Sequence, residues 1–303
     1  MSKTKPLAPI LIAFLIVDAL VLGAAGSYYL TTRSMTKKLA QVEAQKPENI
    51  VKEAQAKVLP TEGYTTKLKW GGLVKKLVEV GAIDPAKYQE IYKSKTNGAE
   101  LLALLETDSD QPIMINENSA YFLVNTLWAL GLTQKSQVLD EGPMRTGGTD
   151  TGNFASTGGW TLGTKAAMEL YSSEELIYLT EEQQELVQKI AANVYRPCCG
   201  NSVAFPDCNH GMAALGYIEL AVANGLSEEQ IYKDLLAFNS FWFPSTYVEM
   251  AVYFQQQEGK SWDQVDAQKA LSYDYSSAAG AQKVSQAVQN VPGLKSQGGS
   301  CGA

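Results

Sequence analysis

Three of the chain's four cysteines and its single histidine lie between positions 198 and 210 of a 303-residue sequence. Random placement almost never concentrates the rarest residues this way, so the fold has to serve this segment. It reads Tyr195-Arg196-Pro197-Cys198-Cys199-Gly200-Asn201-Ser202-Val203-Ala204-Phe205-Pro206-Asp207-Cys208-Asn209-His210-Gly211-Met212. Pro197 and Pro206 bound a loop. A helix is expected to end near Tyr195, and Asp207 has the composition of an N-cap for the next one, MAALGYIELAVANG. The first turn of that helix then carries Cys208 and His210, where free N–H groups and the helix dipole favour a thiolate.

Three soft sulfurs and one imidazole suit a tetrahedral zinc site or a copper site. The expected ligands are Cys198, Cys199, Cys208 and His210, with Met212 as a weak thioether donor for copper. The pattern is less specific than paired C-x-x-C motifs. Haem attachment through C-x-x-C-H is excluded, and a di-iron bundle lacks its second histidine. An iron–sulfur cluster would need Cys301 or His210 to complete its ligands. Two alternatives stay open. Four cysteines allow two disulfide staples, although a Cys198–Cys199 bond is strained because neighbouring Cα atoms are about 3.8 Å apart. A thiol–disulfide redox protein is the other, with Cys301 exchanging with the Cys198/Cys199 pair. Glu219 and Glu249 are candidate supports for His210, and Arg196 is placed to lower a thiol pKa or to cap the preceding helix. Phe241, Trp242, Phe243 and Tyr247 read as core aromatics or a wall over the site.

Leu7 to Leu30 forms a nearly unbroken apolar run, LAPILIAFLIVDALVLGAAGSYYL. About 20 apolar residues cross a bilayer as a helix. Tyr28 and Tyr29 stand where interfacial aromatics belong, followed by Arg33, Lys37 and Lys38. The expectation is a single-pass membrane anchor with the globular part outside the cytoplasm and a membrane protein as a possible partner. A signal peptide cleaved near Ala24 or Gly26 is the competing reading. Lys3 and Lys5 nearly balance the basic residues beyond the run. Asp18, near its middle, is either tolerated among apolar neighbours or functional.

Beyond the run, apolar residues recur at helical spacing. Positions 34–60 form a polar helical stalk, which Pro47 interrupts, with Leu39, Val42, Ile50, Val51, Ala54 and Val58 in one stripe. LVKKLVEVGAI stops at Gly81. Asp84-Pro85 starts a helix, NGAELLALLE and NSAYFLVNTLWALGL read as core helices, and Thr180/Gln183 and Ser227/Gln230 are capping pairs. Pro244 breaks the helix IYKDLLAFNSFWF, and STYVEMAVYFQQQEG starts another. No run alternates as a strand, so the expected class is all-α: anchor 1–33, stalk 34–60, helical Cys/His-site domain 61–292 and tail 293–303.

Gly142 to Gly163 contains seven glycines. Gly163-Thr164-Lys165 lacks both the spacing and the strand of a phosphate loop, so nucleotide binding is not expected and the segment reads as a connection or a lid. With a net charge of −7 and only short basic pairs, nucleic acid is not an expected partner. The strings YRPCC…AFPDCNHGMA, NFASTGGWTLG and GGSCG together resemble an uncharacterised family of prokaryotic membrane-anchored proteins. The resemblance implies no activity. It implies that the glycine-rich loop, the Cys/His segment and the tail belong together, which makes Cys301 a candidate fourth sulfur.

Overall fold

A computed structural model describes residues 22–23, 25–38 and 46–294. The chain divides into two compact units, Met1–Ile50 and Val51–Ala303. In the first, residues 25–38 are helical, with Tyr28, Tyr29 and Leu30 exposed. Among the described residues no helix is long and apolar enough to cross a membrane. Most of the Leu7–Leu30 run lies outside them.

Among the described residues the fold is predominantly helical, with one strand pair. Pro47 opens a helix rather than interrupting one: α1 is Pro47–Val58, and Val51, Ala54 and Val58 are its buried stripe. The strands are β1, Tyr64–Gly71, and β2, Ser109–Ile115, paired antiparallel with Tyr64 opposite Ile115 and Gly71 opposite Ser109. They correct the all-α expectation. In YTTKLKWG, Thr66, Leu68 and Trp70 point inward while Lys67 and Lys69 point out, the two-residue period of a half-buried strand. Ile113 and Ile115 supply the inner face of β2.

Between the strands lie α2 (Leu73–Glu79), α3 (Pro85–Tyr92) and α4 (Gly98–Ala103). The Asp84 side chain accepts the Ala86 N–H and Pro85 occupies the first helical position, as its fixed φ favours. α4 is a short surface helix rather than a core one, with Leu101 and Leu102 only half-buried.

The core is built on α5 (Ala120–Thr133), α6 (Glu181–Ala192), α7 (Asn209–Ala223), α8 (Glu228–Trp242), α9 (Pro244–Glu258) and α10 (Ala278–Val288). Thr180 and Gln183 cap α6 reciprocally, and Ser227 accepts from Gln230 at the start of α8. Helices α5 and α7 are buried almost all round and run in the same direction. At one end Trp242 joins the Ala120 carbonyl to the His210 ring, and at the other Ser136 adjoins Glu219. They touch backbone to backbone. A Cβ on Gly131 would fall 2.1 Å from the Met212 carbonyl oxygen, and one on Gly216 would fall 2.5 Å from that of Leu127. Only glycine permits this approach.

A buried carboxylate ties the strand pair to the bundle. Asp234 on α8 is fully buried and accepts from the Tyr64 hydroxyl at 2.6 Å, from Gln230 Nε2 at 2.8 Å and from the Tyr217 hydroxyl. Its lone pairs are satisfied by three donors from β1, α7 and α8, as a buried acceptor requires.

Candidate metal centre

The loop between α6 and α7 folds back on the elements that flank it. Val203 and Ala204 donate their N–H groups to the carbonyls of Val194 and Ala191, and Tyr195 pairs antiparallel with Ser202. The Tyr195 N–H bonds to Leu271 at 2.8 Å, its carbonyl accepts from Asn239 Nδ2 at 3.1 Å, and the Ala278 N–H holds the Cys199 carbonyl at 2.9 Å. Helices α6, α8 and α10 thereby pin the cysteine loop from three sides.

The folding-back assembles three sulfurs. The Sγ atoms of Cys198, Cys199 and Cys208 all lie within 4.8 Å of one another, with Cys198 and Cys208 at 3.4 Å. A metal–sulfur bond of about 2.3 Å in tetrahedral geometry places two sulfurs about 3.8 Å apart, so the trio has the spacing a metal needs. The three side chains are half-buried.

The N-cap of α7 is Cys208, not Asp207. Its backbone is extended (φ −125°, ψ 164°) and its Sγ accepts the Gly211 N–H at 3.4 Å. Asp207 is committed elsewhere: Oδ1 receives Arg196 Nη2 at 2.6 Å and Oδ2 receives Asn201 Nδ2 at 2.7 Å. Arg196, 1% exposed, organises the whole loop. Nη1 donates to the Asn201 carbonyl at 2.8 Å, Nη2 also to that of Phe205 at 3.2 Å, and Nε to Cys208 Sγ at 3.2 Å. The guanidinium lies flat against the start of α7, where a Cβ on Gly211 would fall 2.5–2.9 Å from three of its atoms.

Cys208 is the most acidic thiol of the set. Hydrogen bonding with its cysteine neighbours and the charge of Arg196 hold its pKa well below the usual thiol value. Cys198 and Cys199 shift the other way and hold their protons more tightly. Hydrogen bonding to its cysteine neighbours raises the Cys198 thiol pKa, and that of Cys199 is pushed up to about 12. A metal ion displaces such protons, since thiolate is the ligand form.

His210 is not part of the sulfur group. Its ring packs on Phe243 (centroids 4.4 Å apart) and Trp242 (5.6 Å), its Nδ1 has no hydrogen-bond partner among the described residues, and burial pushes its pKa down to about 4. Trp242 and Phe243 thus wall the histidine rather than the sulfurs. Met212 is fully buried on α7. Cys301 lies outside the described residues.

Among the described residues no hydrogen bond joins either candidate support to the histidine. Glu249 is most affected by burial, with Ser285 beside it. Glu219 is fully buried beside Ser136, with both carboxylate oxygens unpartnered among the described residues, and desolvation raises its pKa well above the ordinary value. A raised folded-state pKa means that the folded state holds the proton longer. Its contribution to stability is complete below about pH 4.5 and falls as pH rises toward the folded value. Glu219→Gln should remove that decline. Urea unfolding across pH 4–9 should show the variant gaining on the parent by about 1.4 kcal/mol for each pH unit between the two pKa values. Parallel curves would show the carboxyl to be solvated.

The glycine-rich loop does reach the site. Phe154 meets Phe205 edge-on at 5.4 Å and the Ser156 N–H bonds to the Asp207 carbonyl at 3.2 Å. Trp128 holds the Ser156 carbonyl at 2.6 Å, fastening the loop to α5.

The chain matches no protein-family profile, no curated protein and no solved structure. The three-cysteine cluster could hold a metal ion.

Proposed function

We propose that this protein binds a soft metal ion, copper(I) or zinc(II), through Cys198, Cys199 and Cys208, with Cys301 as the fourth ligand for zinc. The observation that carries the reading is the set of three sulfurs within 4.8 Å, held by one buried guanidinium and a helix N-terminus. Thiolates select copper(I), zinc and iron–sulfur clusters, and N–H donors to a ligand sulfur are the outer-shell support that metal sites use. Copper(I) is satisfied by three sulfurs, whereas zinc takes four ligands.

Cys301 enters as the candidate fourth sulfur from the sequence, seven residues beyond Leu294. The Leu7–Leu30 run supports a membrane tether with the metal domain outside the cytoplasm, either to handle metal there or to use it structurally.

Titration of reduced, metal-free protein against a competing chelator should give one ion per chain. Cys198→Ser, Cys199→Ser and Cys208→Ser should each weaken binding by more than the 10–100-fold typical of an outer-shell partner. Cys301→Ser should weaken zinc and leave copper(I) unchanged, and His210→Phe should leave both unchanged. Equal affinity in the three loop variants would overturn the assignment.

A further inference from the structure

Among the three sulfurs one pair is distinguished. Cys198 and Cys208 are in direct contact at 3.4 Å, while Cys199 turns toward the Asn201 carbonyl at 3.9 Å. A bond between the neighbours Cys198 and Cys199 is sterically disfavoured, because their Cα atoms are closer than disulfide geometry accepts. Cys208 Sγ alone receives two N–H donors, Arg196 Nε at 3.2 Å and the Gly211 amide at 3.4 Å, which make it the nucleophile. Cys198 is within reach to resolve whatever forms there. The loop that joins them is anchored at both ends, so little chain has to be reorganised.

We infer that Cys198 and Cys208 form a reversible disulfide by exchange with a small-molecule disulfide, and that this bond ejects the metal. The inference rests on the metal-binding reading for its second half only. Cys208 thiolate attacks one sulfur of RSSR, forming Cys208–S–SR and releasing RS⁻, which takes up a proton. Cys198 loses its proton to solvent or to RS⁻, attacks Cys208 Sγ, forms Cys198–S–S–Cys208 and expels the second RS⁻. Two protein thiols are oxidised and one external disulfide is reduced to two thiols. The metal is left with Cys199, and in the zinc case Cys301, and dissociates. Metal occupancy then reports the thiol–disulfide balance of the compartment.

The test uses the full chain, both metal-free and zinc-loaded, with glutathione disulfide as the probe. Alkylation and peptide mapping should find a Cys198–Cys208 bridge with two thiols lost per chain. The zinc-loaded protein should deliver one zinc to a chromogenic chelator per bridge formed, and dithiothreitol should reverse both. Cys199→Ser and Cys301→Ser chains should still form the bridge. Cys208→Ser should form none, stopping at mixed disulfides with glutathione. A bridge mapped to Cys199 or Cys301, or mixed disulfides alone in the parent chain, overturns the inference. Bridge formation in a chain that binds no metal when reduced would sink the metal reading and leave the exchange chemistry standing. Bridge formation with zinc retained would overturn the coupling.

Discussion

Replacing Arg196 by methionine should destabilise the reduced, metal-free protein by about 3–5 kcal/mol, the usual loss when one partner of a buried ion pair is removed. The arginine is the more buried member, at 1% exposure against 21% for the Asp207 side chain. Its loss takes the close donor from the Asn201 carbonyl, one of two donors from that of Phe205, and the charged donor from Cys208. Lysine should not rescue it: a point charge on a flexible stem cannot serve four acceptors arranged for a planar fork. Asp207→Asn should be comparably damaging, because it leaves a buried guanidinium without its carboxylate. The double variant Arg196→Met/Asp207→Asn should lose less than the sum of the two, since no unpaired charge remains. Urea unfolding under reductant measures all three. Metal affinity of the arginine variant should fall about 10–100-fold, the effect of an outer-shell partner. A loss under about 1 kcal/mol for Arg196→Met would show the loop to be held by its backbone bonds alone.

Local chemistry was the legible part of this sequence. Asp84 before Pro85, Thr180 with Gln183, and Ser227 with Gln230 mark helix starts because a cap is satisfied within a few residues of itself. Gly81 marks a helix end through its positive φ, whereas Pro47 and Pro244 each open a helix at its first position. The strand pair escaped because its alternation runs through threonine and lysine and shows only two strongly apolar inward positions, Leu68 and Trp70. The convergence of Cys198, Cys199 and Cys208 could be anticipated from two prolines and a short loop. The position of His210 could not be read from proximity in sequence. On a helix, positions two apart point away from each other, so a histidine at the second position cannot follow a cysteine at the cap. It turns toward Trp242 and Phe243 instead. Arg196 was placed as a neighbour of one thiol, and its central role stayed hidden because half of its acceptors are backbone carbonyls, which carry no sequence signal.

The second large effect lies at the helix crossing rather than in the loop. Gly216→Ala should destabilise the protein by about 3 kcal/mol, at the upper end of the range for overpacking a close-packed interior. The added methyl would meet the Leu127 carbonyl oxygen at 2.5 Å and the Gly131 amide nitrogen at 2.6 Å. Neither is the tip of a side chain that could swing aside, so α5 and α7 must separate along contacts that are buried on every face. Gly200→Ala is the matched control. It lies in the cysteine loop, and nothing approaches its Cβ position within 4 Å, so it should change stability by less than about 0.5 kcal/mol. The comparison also separates two ways of building the site. Because α7 presents Cys208 and the Gly211 amide, shifting that helix against α5 should weaken metal binding even though the substitution lies eight residues from Cys208. If Gly216→Ala loses stability and keeps full metal affinity, the loop carries the site by itself. If it loses both while Gly200→Ala loses neither, the sulfur trio depends on a helix start that the α5–α7 crossing holds in place.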